Sequence, residues 1–364
     1  MLYITNEILC AYLVYKTIDH AIYQPKLLGS YCFVRSSLRD YMQNHFINDS
    51  IYISLCSFTN IDACQHIHNQ TFLFRLHWFP GLTSELNNLV RAFTYAIHTR
   101  RKFLVDDQYW NYGSFASFFN VTKGHFSPWL PASSYCSQRQ FIHLINYQEN
   151  GTKNVPAHLT TSRSSDGGFT YLSRLMALHE RGNDTIAVRR LVVDYLWESL
   201  NNETRCFIDR HLSAMQIDTI SYGMHIRRGD KATEAKLFAA SDYVAGVEFF
   251  MKQQSQTNSK IRIFVASDQS NVIDELRKLK PNWEFVQLPE QKKGSSGHDQ
   301  TSFNRLPEHI KIEAGREMLT ELKILSRVKY VVCTFSSNVC RFLQVLRKQD
   351  VETVLSLDVQ WYPQ

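Results

Sequence analysis

The chain has no Asp-x-Asp pair, no Cys-x-x-Cys, and no Gly-x-Ser-x-Gly, P-loop or Gly-x-Gly-x-x-Gly pattern. Each absence removes a class of chemistry. Without a glycine-rich phosphate cradle or a nucleophile elbow, the kinase, dinucleotide and hydrolase readings lose their motifs. Without a Cys-x-x-Cys there is neither a zinc ribbon nor a thioredoxin-like redox pair. Without a carboxylate pair, a donor gripped through a divalent cation has no holder, so a phosphorylated donor is expected to bind without metal. Long runs are lacking too. The longest early apolar run, Ile8 to Tyr15, falls well short of the roughly 20 residues that span a bilayer. No basic start or small-residue cleavage site marks a signal peptide, and no run of Lys or Arg implies nucleic acid.

What is present is an ordinary globular composition. Hydrophobic residues are 44% and charged residues 20%, and 40 Lys+Arg against 34 Asp+Glu leave +6. Length allows two domains with sizeable cores. Eight cysteines and Asn-x-Ser/Thr sequons at Asn48, Asn69, Asn120, Asn150, Asn183 and Asn202 favour a lumenal, disulfide-permissive location. That location, the Golgi lumen or secretory pathway, is expected although no anchor or signal is visible; the alternative is a cytosolic protein.

The division expected is residues 1–60 as a segment of unclear role, 61–215 as an N-terminal α/β domain, and 216–364 as a Rossmann-like C-terminal domain. In the first, a helix from Leu82 with Ser84 as N-cap would bury Leu86, Leu89, Val90, Phe93, Ala96 and Ile97. A short strand, Lys102 to Val105, follows. Residues 114–165 read as loop, and helical patterns return at Thr170–His179 and Asp184–Leu200. In the second half, strands at Ile220–Ile226, Ile261–Ala266, Glu284–Leu288, Lys329–Thr334 and Thr353–Leu357 alternate with helices. These helices are expected from Ser270 to Lys280, from Glu308 to Ser326 and from Asn338 to Arg347. Pro289 to Pro307 reads as a mobile polar loop. This βαβα alternation implies a parallel sheet covered by helices.

In such sheets ligands sit beyond the carboxyl ends of the strands, where the strand order reverses. Three strand ends here carry polar groups: His225-Ile-Arg-Arg-Gly-Asp-Lys231, Asp268, and Cys333-Thr-Phe-Ser-Ser-Asn-Val-Cys340-Arg341. Ser336 and Ser337 open a helix whose free N–H groups suit an anion. Arg227 and Arg228 offer planar forks for a diphosphate, although a bare Arg-Arg pair is more often a surface ion-pair partner. Asp230, Lys231 and Glu234 could form a base and relay; a solvated charged turn is the bland counterpart. Cys64-Gln-His66-Ile-His68 puts three potential metal ligands on one face of a strand but lacks a fourth. Trp110-Asn-Tyr112 could stack on a base or sugar, core packing being the default. A sugar-nucleotide-dependent transferase is the reading these residues suggest.

The residues also resemble a known family, the α1,6-fucosyltransferases that fucosylate the N-glycan core. His225 to Lys231 is similar to that family's His-Val-Arg-Arg-Thr-Asp-Lys, and Val332 to Arg341 differs from its form at one position. Glu85 to Tyr112 and Ser356-Leu-Asp358 add to the match, which runs from about Cys64 to Tyr362. The resemblance implies a GT-B-like α/β fold with two Rossmann-type domains facing a cleft. It implies inverting, metal-independent transfer of fucose from GDP-fucose, without a further cofactor, to a 6-hydroxyl of a glycan or glycoprotein, expected to be the N-glycan core GlcNAc. It assigns His225 and Glu321 to guanine, Arg227 and Ser337 to the β-phosphate, and Tyr112 to the nucleoside. Glu234 becomes the base and Lys231 its relay, while Arg228, Asp230 and Asp268 are needed for activity. Cys333–Cys340 and Cys64–Cys136 are the implied disulfides. The Lys231–Glu234 turn is one residue shorter than the family's, and Gln269 replaces an acidic residue. The alternatives are a different acceptor, such as a chitin-type oligosaccharide or a protein, and a non-catalytic nucleotide-binding protein.

Overall fold

The computed structural model describes residues 71–98, 102–120, 127–128, 142–143, 158–160, 184–254, 261–288, 297–347 and 351–358. Ten strands and eight helices lie among them, arranged as two five-stranded parallel sheets.

The first sheet has the order β3-β2-β1-β5-β4, from β1 (Thr71–Arg75), β2 (Lys102–Asp106), β3 (Ser127–Pro128), β4 (Ile142–His143) and β5 (His158–Thr160). Between β1 and β2 runs α1 (Leu82–His98). Its six expected apolar positions are all buried, giving one face to the sheet. The helix starts before Ser84, because the carbonyl of Gly81 already accepts from the amides of Ser84 and Glu85. Residues 114–165, expected to be loop-rich, hold the short strands β3, β4 and β5 among their described residues, too short to show a period. The Thr170–His179 pattern, the Cys64-Gln-His66-Ile-His68 cluster and the Cys64–Cys136 pairing lie outside the described residues. The segment between the sheets holds α2 (Asp184–Glu198) and α3 (Asn202–Ala214), the latter capped by Asn201, whose side chain accepts from the amide of Thr204.

The second sheet has the order β10-β9-β6-β7-β8, from β6 (Tyr222–Ile226), β7 (Arg262–Ser267), β8 (Glu284–Val286), β9 (Tyr330–Cys333) and β10 (Val354–Ser356). Its chain order is that of a Rossmann half, with the reversal between β6 and β9. The central strands β6 and β7 are buried on both faces, as a covered parallel sheet requires, while the edge strands β8 and β10 are more open. Tyr222, Met224 and Ile226 face α4 (Ala240–Gln253) and α5 (Val272–Leu279). The alternate positions, with Phe264 and Val331 beside them, face α7 (Glu308–Arg327) and α8 (Asn338–Leu346). Helices α7 and α8 share one continuous core with α1, α2 and α3 from the first half.

Sequence periodicity missed α4, whose near-uniform apolar run from Tyr243 to Phe250 blurs the helical stripe, and α6 (Gln300–Asn304), which lies within the stretch expected to be a mobile loop. Arg347, buried at 1% exposure, donates to the carbonyls of Leu325, Val328 and Lys329 and so satisfies the end of α7. Burial pulls its pKa down to about 10. Among the described residues, no helix is long and apolar enough to cross a membrane.

Candidate active site

Beyond the carboxyl end of β6 the chain turns through Arg227-Arg228-Gly229-Asp230. The two arginines part company there. Arg227 is held between two carboxylates, donating from Nη1 to Asp268 at 2.6 Å and from Nη2 to Asp230 at 2.5 Å. Arg228 turns to α5 instead and grips Glu275 through both Nη atoms at 2.9 and 2.8 Å, with Gln269 at 3.2 Å. That fork holds the Glu275 carboxyl below the usual carboxylate range. A pair of forks side by side on one diphosphate is therefore not what the structure presents. Arg227 alone stands on the rim.

Asp268 and Asp230 do more than pair with arginine. Asp268 also accepts from the amides of Arg228 at 2.9 Å and His298 at 3.1 Å, and Asp230 accepts from the amide of Gln300 at 3.0 Å. The amide of Asp230 returns a bond to the carbonyl of His298 at 2.9 Å. These contacts fasten the segment Gly297–Gln300 onto the β6 turn. Gly297 has φ +81° and Gly229 has φ +45°, and a Cβ on Gly297 would lie 2.7 Å from the Gly229 Cα. Only glycine tolerates both the backbone angle and the contact. Nothing in the sequence paired residues 229 and 297. The stretch from Pro289 to Pro307, which holds Gly297, reads as a mobile polar loop, not as backbone approaching backbone.

Lys231 and Glu234 lie on the next turn, with Nζ and Oε2 2.5 Å apart. Lys231 is tucked in at 13% side-chain exposure while Glu234 stands 63% open. The lysine thus fixes an accessible carboxylate from below.

Across the reversal point, β9 leads to Thr334-Phe335-Ser336-Ser337 and α8. Cys333 and Cys340 are disulfide-linked across this turn, with Cα atoms 6.0 Å apart. Ser336 and Ser337 are both buried, and Ser337 caps the helix by accepting from the amide of Val339 at 3.3 Å. Asp358, beyond β10, accepts the amides of Phe335 at 2.7 Å and Ser336 at 2.8 Å. This carboxylate was not expected among the site residues, and it already fills part of the amide nest proposed for an anion. Tyr243 on α4, its hydroxyl pKa raised by burial and the nearby Asp358, hydrogen-bonds the Thr334 side chain under the same turn.

His225 is 4% exposed and alternates onto the α7 side of β6, the side that also carries buried Glu321. Tyr112 is buried with Trp110, Phe118 and Phe303 around it, and its hydroxyl accepts from the amide of Leu82 at 3.1 Å. Burial raises its pKa, and Arg227 is close enough to oppose that. Tyr112 thus supports the rim from within the core.

The first half reaches the rim through α6. Asn304 accepts from Asn111 Nδ2 at 2.6 Å and donates to the carbonyl of Phe79 at 3.3 Å, while Lys311 bridges Asn111 and Asn304. The carboxyl ends of β1 and β2 are thus tied, through Gln300 and Asp230, to the carboxyl end of β6.

Three comparisons bear on this arrangement. Residues 36–362 match the model of the alpha-(1,6)-fucosyltransferase N- and catalytic domains. The Caenorhabditis elegans alpha-(1,6)-fucosyltransferase is 32% identical over 161 residues, 43% of this chain and 27% of that protein. The Drosophila melanogaster alpha-(1,6)-fucosyltransferase is 24% identical over 340 residues, 87% of this chain and 50% of that protein. The chain thus spans half or less of the length of these relatives. In fold it is similar to Arabidopsis thaliana FUT1, solved as a mutant in complex with GDP, with TM-score 0.51, 14% identity and coverage of 91% of this chain and 81% of that one. Two parallel α/β sheets with a polar rim between them, in GT-B arrangement, and a family match over nearly the whole sequence lead to one conclusion: the chain belongs to the alpha-(1,6)-fucosyltransferase family of glycosyltransferases.

Proposed function

We propose that the protein transfers fucose from GDP-fucose to the 6-hydroxyl of a glycan, inverting the anomeric carbon and using no metal, with the N-glycan core GlcNAc as acceptor. The observation that carries this is Arg227, held by Asp230 and Asp268 on the rim opposite the start of α8. A guanidinium has five N–H donors. Two are spent on the aspartates, and the rest can reach the β-phosphate, while the amides of α8 and Ser337 approach it from the other strand end. As the C1–O bond breaks, its electron pair leaves with GDP, and the positive end of this clamp offsets the developing charge. Glu234 takes the proton from the acceptor hydroxyl as that oxygen bonds to C1 from the opposite side. His225 and Glu321 are assigned to guanine. The Cys333–Cys340 disulfide supports a lumenal, secretory location.

The test separates donor binding from chemistry. With EDTA present, GDP should raise the melting temperature of the wild type. Arg227→Ala should lose most of that rise, forfeiting a charge-assisted contact worth ~1.5–3 kcal/mol. Glu234→Gln should keep the GDP shift while transfer falls about 10²–10⁴-fold. An absent GDP shift sinks the donor site, and undiminished transfer by Glu234→Gln removes Glu234 as base.

A further inference from the structure

The first sheet has its own reversal point. Its order places β2 and β3 on one side of β1 and β5 and β4 on the other, so the crevice beyond the carboxyl end of β1 is where a ligand of this sheet belongs. Trp78 and Phe79 stand there, 61% and 44% exposed. Their rings meet edge to face, with centroids 5.6 Å apart at 76°. Such a pair covers little of the broad ring faces.

This exposure does not come from a loose loop. The amide of Leu76 bonds the carbonyl of Asp106 at 2.9 Å, and the amide of His77 bonds Glu85 at 3.0 Å. The carbonyl of His77 accepts from Asn111 at 3.3 Å, and that of Phe79 from Asn304 at 3.3 Å. A fixed backbone presenting a large apolar ring to water has already met the ordering cost of a binding surface.

The neighbours decide what it fits. Asn304, Gln300 and Asn111 supply an amide cluster, with Gln300 donating to Asn304 at 2.7 Å, and Lys311 is engaged within it. Aromatic faces edged by neutral amides suit a pyranose, whose C–H face packs on a ring while its hydroxyls bond at the edge. A phosphodiester or lipid headgroup would call for several cations, and Lys311 is already committed to Asn111 and Asn304. The platform is also continuous with the transfer site, since the amide of Gln300 bonds Asp230, from which the chain runs on to Lys231 and Glu234.

We infer that Trp78 and Phe79 form the acceptor-sugar platform of this enzyme, on which a saccharide ring stacks so that its hydroxyl side faces Glu234. This rests on the transfer reading above, so the test includes a binding readout that needs no turnover. The full chain, saturated with GDP, is titrated calorimetrically with a trisaccharide of N-acetylglucosamine and with an N-glycan bearing terminal GlcNAc. The wild type should bind at least one of them. Trp78→Ala should weaken that binding about tenfold, and Trp78→Phe should keep most of it. All three proteins should show the same GDP-induced melting shift, which controls for folding and the donor site. In transfer assays Trp78→Ala should raise the acceptor KM and leave kcat within about twofold. Equal affinity in Trp78→Ala, or no saccharide binding by wild type at millimolar concentration, overturns the inference. So does sedimentation showing a dimer that Trp78→Ala dissociates without any saccharide binding, since the aromatic pair would then serve a second copy. Saccharide binding that depends on Trp78 without any fucosyl transfer would support the platform and sink the transfer reading.

Discussion

At the scale of single residues, Glu85 shows how burial sets chemistry. It sits in the first turn of α1 at 0% exposure and accepts from the amide of His77. Desolvation is the largest influence on it and raises its pKa from 4.5 to about 8, against the smaller opposing effects of His77 and Asn88. The folded protein therefore holds a proton that the unfolded chain releases. Stability from this group is fully present below pH 4.5 and is lost as pH rises through about 8. Glu85→Gln keeps the shape and the acceptor oxygen but cannot ionise. Its melting temperature should match wild type near pH 4 and exceed it at pH 9, the gap opening between them in scans at one-unit intervals. Parallel pH profiles would remove the buried acid from this account. Nothing in the sequence marks Glu85 as buried, since burial depends on chain folded from elsewhere. Arg227 was legible because motif and strand end coincide, whereas the Arg228–Glu275 pairing was not, because the side on which a side chain leaves a turn is set by the turn.

At the scale of elements, the β9–α8 turn owes its shape to Asp358 as well as to the disulfide. The carboxylate takes the amides of Phe335, which it shares with Ser356 Oγ at 3.0 Å, and of Ser336 in a largely buried turn, and Ser356 Oγ donates to it at 2.5 Å. Asp358→Ala removes the carboxylate oxygens from the Ser336 amide and the Ser356 hydroxyl, while the Phe335 amide keeps Ser356 Oγ. Leaving the Ser336 amide and the Ser356 hydroxyl unmet costs about 1–3 kcal/mol, so urea unfolding should show a loss of that size with an unchanged slope. Because the same turn positions Ser337, GDP binding should weaken alongside. A stable variant with full GDP affinity would show that the disulfide alone holds the turn. The strands and helices of this half were largely readable from alternating apolar runs and caps. The short strands β3, β4 and β5 and the helix α6 were not, because elements of two to five residues carry no period and are fixed by pairing with distant partners.

At the scale of the molecule, the two halves meet through a shared core, through polar contacts such as Asn87 to the carbonyl of Asn338 and Arg316 to Glu203, and through a thin polar strap, Gly297 to Asn304. Its near end is locked to β6 by Asp230 and Asp268, and its far end reaches Asn111 and Phe79 in the first half. The strap therefore helps to set how the rim of the first sheet stands relative to the rim of the second, a relation that no local pattern encodes. Gly297→Ala tests it. The added methyl would press into Gly229 at 2.7 Å in a backbone conformation with φ +81° that alanine resists. Such strain costs about 1–3 kcal/mol, which the two hydrogen-bonded aspartates cannot fully absorb, so the strap should lift. Hydrogen exchange at the amides of Asp230, His298 and Gln300 should accelerate while the strands β6, β7 and β9 keep their protection. Transfer should fall more steeply than GDP affinity, because the proposed donor clamp of Arg227 and α8 lies within one half and the proposed alignment with an acceptor needs both. Equal losses in transfer and GDP affinity would instead make the strap part of the donor site.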